Sequence, residues 1–158
     1  MRLALYQPEI PQNTGTLLRL GACLGVGVDI IEPCGFVWND ARLKRAGMDY
    51  MELVTVQRHV SWRSFKDQVT SRLILLDAKA TTSFLDFQFQ PEDILVLGQE
   101  SRGVPDSVYE EMSHQVIIPM VPGRRSLNMA ISAAIVLSEA LRQTKLYPLP
   151  SVQLLRKS

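Results

Sequence analysis

Residues 118–141 read IPMVPGRRSLNMAISAAIVLSEAL. The end of an apolar strand runs into a loop with two prolines, a glycine and two arginines, and the loop runs into a helix. Met129, Ile131, Ala133, Ala134, Ile135, Val136, Leu137, Ala140 and Leu141 leave that helix almost no wet side, whereas a helix on the surface of a small soluble protein normally shows one apolar stripe. The core of its own domain covers one side, so the other calls for a second surface. The loop ahead of it, with its backbone amides and the Ser126 hydroxyl, is built to hold something.

Upstream, apolar runs recur at 3–6, 28–32, 52–56, 73–76, 94–97 and 116–119, each the length of a strand. Helical spacing fills the intervals at 14–25, 40–47, 61–70, 105–112 and about 126–143. Strands that alternate with helices imply crossovers. The expected fold is α/β: a mostly parallel sheet with helices on both faces, which is why its strands are continuously apolar. Ligands of such sheets bind beyond the carboxyl ends of the strands. That brings three loops together: QPEIPQNTG (7–15), GQESRGVP (98–105) and MVPGRRSLN (120–128).

At 158 residues, 46% hydrophobic and 21% charged, the chain fits one globular domain over 1–158, with about 145–158 as a short tail. It has no apolar run of the ~20 residues that a membrane span needs. The first residues lack the features of a signal peptide, so a cytoplasmic location is expected. Cys23 and Cys34 read as reduced thiols and suggest neither a disulfide framework nor a metal site. Seventeen basic against sixteen acidic residues give no global attraction for nucleic acid, so any RNA contact must come from a local patch or a surface shared by two subunits.

The loops exclude the commonest nucleotide sites. LALYQPEIPQN has no glycine after the first strand, so the dinucleotide fingerprint does not fit, and the phosphate-cradling GxxxxGK[ST] loop is absent. Gly21, Gly25 and Gly27 fall at the end of a helix, where a C-cap is the plainer role. His59 and His114 have no neighbours that suggest a triad or a metal site. In NTGTLLR (13–19), Asn13 reads as an N-cap, and Arg19 reads either as leaning back to make an anion site with the helix N-terminus or, more plainly, as a solvated arginine. In LGQESRGVP (97–105), Gly98 and Gly103 permit close backbone approach, and Glu100 can accept hydrogen bonds from a ligand or from a loop.

Taken in order, N-x-G-x-x-x-R (13–19), G-x-E-x-x-G-V-P (98–105) and I-P-M-x-x-x-x-x-S-L-N (118–128) resemble the SpoU branch of the SPOUT methyltransferases. The resemblance covers essentially the whole chain. Its length and the stretch EPCGFVWNDARLKRAGMDY (32–50) look like the subgroup that methylates the 2′-hydroxyl of the wobble nucleotide, cytidine or a modified uridine, of leucine tRNAs. Position 130 is Ala where relatives often carry serine, and position 138 is Ser where they carry an aromatic residue.

The resemblance implies a C-terminal deep trefoil knot whose cleft binds S-adenosyl-L-methionine in a bent form, touching Leu76, Gly98, Ile118 and Ser126. It also implies a homodimer paired through the first and last helices, which would cover the second side of the helix quoted above. Arg19 is the match to the family's catalytic arginine. Because a guanidinium stays protonated, its expected work is to grip a substrate phosphate and orient the hydroxyl. Asn13, Glu100 and Asn128 are expected to position the three loops, with Glu100 nearest the ligand. No metal is called for.

For RNA, Arg124 and Arg125 beside the cofactor loop are the first candidates, followed by Arg42, Lys44 and Arg45 in RLKR (42–45). Arg58, Trp62 and Arg63 form a third cluster, and Trp38 and Trp62 read equally as core. Two other readings stay open: the same chemistry on ribosomal RNA or another tRNA position, and a non-catalytic RNA-binding protein that keeps the fold.

Overall fold

A computed structural model describes residues 1–38 and 53–149. Six strands, β1 (Arg2–Tyr6), β2 (Gly27–Ile31), β3 (Val56–His59), β4 (Leu73–Leu76), β5 (Ile94–Leu97) and β6 (His114–Val116), form one sheet in the order β3-β2-β1-β5-β4-β6. Every neighbouring pair is parallel. The helices are α1 (Pro11–Leu24), α2 (Trp62–Lys66), α3 (Asp106–Tyr109) and α4 (Met129–Thr144).

Side-chain alternation along the strands divides the core in two. Leu3, Leu5, Leu95 and Leu97 pack in one cluster with Leu17 and Leu18 of α1 and with Ala133, Val136 and Leu137 of α4. Ala4, Tyr6, Ile94 and Val96 pack in a second cluster with Phe65 of α2 and Val108 of α3. Helices therefore cover both faces, and the central strands are buried on both sides as their apolar runs require.

The edges depart from expectation. The run at 52–56 predicts a strand, but β3 is Val56–His59, and residue 52 lies outside the described residues. The last strand is His114–Val116 rather than 116–119, with Ile117 making only an isolated bridge to Ser83. Both strands are sheet edges, where one neighbour suffices and a polar outer side is tolerated. Gln57 and Arg58 are accordingly exposed. An apolar run therefore marked the central strands and misplaced the edge strands. The helix expected over 40–47 lies outside the described residues, and α2 and α3 are shorter than their expected spans.

Helix α1 begins at Pro11, and its cap residue is Ile10. Proline suits the first turn because its missing N–H would have had no helical partner there. The N-cap expected at Asn13 is thus corrected: Asn13 lies inside the helix, and Arg19 sits about two turns along it. The anion site expected from Arg19 and the helix N-terminus loses its basis. The C-cap reading holds at Gly25, whose φ is 68° and whose N–H donates to the Gly21 carbonyl.

His59 has a structural place. Its Nε2 lies 2.8 Å from Oδ1 of buried Asp29, whose carboxylate also accepts from Arg2 Nε at 2.6 Å, so one polar bridge ties β1, β2 and β3 together. Trp62 is likewise a packing residue, edge-on to Tyr6, tilted on Phe65 and donating its indole N–H to Glu111. Trp38 stacks on Phe36 beneath the Arg58 guanidinium. Burial and the Glu32 carboxylate push the Cys34 thiol up to about 11, so it stays protonated.

Candidate active site

The three motif loops meet beyond the carboxyl ends of β1, β4 and β5, where a cleft of about 540 Å³ opens. That volume suits a nucleoside-sized ligand. The sequence-predicted cofactor residues Leu76, Gly98, Ile118 and Ser126 all line it, and so do Asn13, Glu100 and Asn128.

A chain of hydrogen bonds ties the loops together. Glu100 accepts from the backbone N–H groups of Glu9 (2.8 Å) and Ile10 (3.3 Å) and from Asn13 Nδ2 (3.2 Å). Asn13 Oδ1 in turn accepts from Asn128 Nδ2 at 2.9 Å. Asn128 is the N-cap of α4, its Oδ1 accepting from Ala130 N at 2.8 Å and Ile131 N at 3.3 Å. One network thus runs from the loop after β1, through the loop after β5, to the start of α4. Glu100 and Asn128 satisfy backbone N–H groups that a bare loop or helix start would leave unpaired, and the Asn13 amide joins the two side chains. Three protein donors occupy most of the acceptor capacity of Glu100, which holds the loops together.

Glu9 returns the clasp. Its carboxylate accepts from Ser101 N and Ser101 Oγ, both at 2.8 Å, and these bonds hold its carboxyl below the usual range. Gln99 Nε2 donates to Gln7 Oε1 at 3.1 Å, and Gln7 itself has φ 45°, an uncommon value for a residue with a side chain. Nothing in the sequence spacing of Gln7, Glu9, Gln99 and Ser101 marks them as site residues. Asn128 directly before an apolar run was a readable N-cap signal.

Gly98 and Gly103 are required by contact. A Cβ at Gly98 would lie 2.5 Å from the Gly103 carbonyl carbon, and Gly103 has φ +70°. The backbones of Gln99 and Gly103 bond reciprocally at 2.8 and 2.9 Å, closing the loop into a tight floor for the cleft.

Arg124 and Arg125 are exposed in the loop that supplies Ser126 to the cleft. Arg19 is exposed on α1 and is not among the lining residues. Arg42, Lys44 and Arg45 lie outside the described residues. Among the described residues, no group of three or more His, Cys, Asp or Glu is placed to hold a metal ion, and no helix is long and apolar enough to cross a membrane.

A parallel sheet with its cleft at the strand ends, floored by two glycines and closed by a helix N-cap, defines a nucleotide-binding α/β protein without the dinucleotide turn. Residues 1–138 match the model of the SpoU rRNA Methylase family, and the chain belongs to that family. It is 54% identical over 144 residues to a tRNA (cytidine(34)-2′-O)-methyltransferase of Beijerinckia indica subsp. indica, covering 89% of this chain and 90% of the relative. It is 42% identical over 146 residues to the protein of the same name from Escherichia coli K12, covering 90% and 93%. A structure solved for the 2-OH methylation of C/U34 on tRNA superposes with a TM-score of 0.85 at 38% identity, over 90% of this chain and 94% of that one. The family's methyl donor is S-adenosylmethionine.

The cleft fits that donor. Leu76, Leu97, Ile117, Ile118 and Met129 offer an apolar wall for a purine, while Asp77, Lys79 and Arg102 offer charge for a zwitterionic end.

Proposed function

We propose that this protein transfers the methyl group of S-adenosylmethionine to the 2′-hydroxyl of the wobble nucleotide 34, cytidine or a modified uridine, of tRNA, with leucine isoacceptors as its substrates in the cytoplasm. The observation that carries the reading is the convergence of all three motifs on one cleft of cofactor size, held by the Glu100–Asn13–Asn128 network. The relatives' names and the 2-OH methylation neighbour support the target.

Within this reading Leu76, Gly98, Ile118 and Ser126 bind the cofactor, which supplies an electrophilic methyl on a positively charged sulfur. The chain's part is to aim the ribose oxygen along the line of the bond that breaks and to exclude water. As the new oxygen–carbon bond forms, the hydroxyl proton passes to a substrate phosphate gripped by Arg19, whose guanidinium stays charged. Arg124 and Arg125 hold the RNA backbone next to the cleft, with Arg42, Lys44 and Arg45 as a further contact.

Two copies complete the site. Along α1, Gln12, Thr16, Arg19 and Cys23 form an exposed stripe, and on α4 Ile131 and Ile135 remain 53% and 36% exposed. Apolar side chains left open beside a buried helix face suit a partner surface. Pairing through α1 and α4 covers them and brings Arg19, which does not line its own cleft, to a place of work. The trefoil formed by the last two loops (98–105 and 120–128) and α4 belongs to the same reading, supported by the likeness to the solved relative.

The test incubates the protein with isotopically labelled S-adenosylmethionine and tRNA from a strain lacking this gene, then maps the label by nuclease digestion and mass spectrometry. Label on the ribose of nucleotide 34 of leucine tRNAs is the expected result. Label at another position would reject the target and keep the chemistry, whereas cofactor binding without label on any RNA would reject the enzyme reading.

A further inference from the structure

Asp77 follows β4 directly and lines the cleft, yet none of the three motifs includes it. Its Oδ1 is fixed by the backbone N–H of Lys79 at 2.7 Å. Its Oδ2 lies beside Gly103, 3.5 Å from where a Cβ on that glycine would stand, and accepts no side-chain hydrogen bond among the described residues. Asp77 has no ion-pair partner among the described residues. The other carboxylate of the cleft, Glu100, is committed to Glu9, Ile10 and Asn13. Asp77 is therefore the cleft-lining carboxylate that keeps an oxygen without a hydrogen-bond donor among the described residues.

We infer that Asp77 binds the α-ammonium group of the cofactor's amino-acid end, with Lys79 and Arg102 beside it for the carboxylate. The inference deepens the reading above and rests on it. The lining includes apolar side chains such as Leu76, Ile117 and Ile118, which suit the purine, and charged ones at Asp77, Lys79 and Arg102. Lys79 lies two residues beyond Asp77, and Arg102 immediately precedes the glycine that Asp77 faces. An ammonium in a half-buried site needs an anionic acceptor, and the pairing is strongest when the acceptor is already held in place. The Lys79 N–H supplies that hold.

Titration calorimetry of the purified protein with S-adenosylhomocysteine and with 5′-methylthioadenosine tests this. The second ligand keeps the adenosine and the sulfur and lacks the amino-acid end. Asp77→Asn is expected to weaken S-adenosylhomocysteine about tenfold, roughly 1.4 kcal/mol, while 5′-methylthioadenosine changes by less than twofold. Equal loss for both ligands would place Asp77 on the nucleoside, or in the shape of the cleft, and overturn the inference; so would no loss for either. If the variant does not fold, the wild-type protein still decides, because the analogue of S-adenosylhomocysteine without its amino group should show the same tenfold loss. Failure of the wild-type protein to bind any of these ligands would instead defeat the cofactor reading on which the inference stands.

Discussion

Glu100 accepts from three donors that belong to two different segments, the loop after β1 and the side chain of Asn13 on α1. Glu100→Gln removes the charge and turns an NH₂ toward donors. We expect it to lower stability by about 1–3 kcal/mol, the usual cost of a hydrogen-bonding group left unsatisfied, and to weaken S-adenosylmethionine through the displaced loops; thermal melting and calorimetry measure the two. Arg19 differs, because it lines no part of its own cleft. Arg19→Ala should bind cofactor with unchanged affinity and slow methyl transfer by roughly 10²-fold or more, the scale on which a positioned group aids the transition state. A wild-type single-turnover rate for that variant would remove Arg19 from the mechanism. At Gly98 an alanine has no room, since its Cβ would stand 2.5 Å from the Gly103 backbone. Gly98→Ala is expected to fold, because the loop lies on the surface, and to lose cofactor binding.

At the scale of elements, the clasp between the loops after β1 and β5 depends on ionised carboxylates. The Ser101 hydrogen bonds depress Glu9 below its ordinary value of 4.5. A carboxyl lowered in the folded state stabilises that state above its unfolded value, and the contribution disappears as pH falls through the folded value. Acidification from pH 5 downward should therefore loosen this clasp, with cofactor affinity falling as Glu9 takes up a proton. Ser101→Ala should move the Glu9 titration upward, as followed by carboxyl NMR shifts, and the absence of any such movement would refute the clasp. Arg142 and Gln143 hold Glu139 down to about 2 in the same way at the far end of α4. The elements also show what sequence could and could not tell. Central strands are legible because burial on both faces forces continuous apolar runs, as in LILL and ILVL. Edge strands such as VQRH escape because one neighbour and one wet side impose no such run. The cleft-lining residues Leu76, Gly98, Ile118 and Ser126 were legible only through the family resemblance that the motifs carry. Gln7, Glu9 and Ser101 were not, because their partners are about ninety residues away in sequence and only the fold brings them together. Asn13 misled for a related reason: it has the chemistry of a cap, but the helix starts two residues earlier at Pro11, and its amide bridges Glu100 and Asn128.

For the whole molecule, the helix that opened the sequence reading has one face in the core and another that keeps Ile131 and Ile135 open. If pairing through α1 and α4 covers that face, Ile135→Asp should convert a dimer to a monomer in sedimentation velocity, leave S-adenosylmethionine binding nearly intact, and abolish transfer, because Arg19 would no longer meet a cleft. A monomer with full activity would show that each chain works alone. The central claim is that the acceptor is the 2′-hydroxyl of nucleotide 34. Its most direct test uses two leucine tRNAs assembled by ligation, identical except that one carries 2′-deoxycytidine at that position. With labelled S-adenosylmethionine, label is expected in the ribose-containing tRNA and none in its deoxy counterpart. Equal labelling of the two would contradict it.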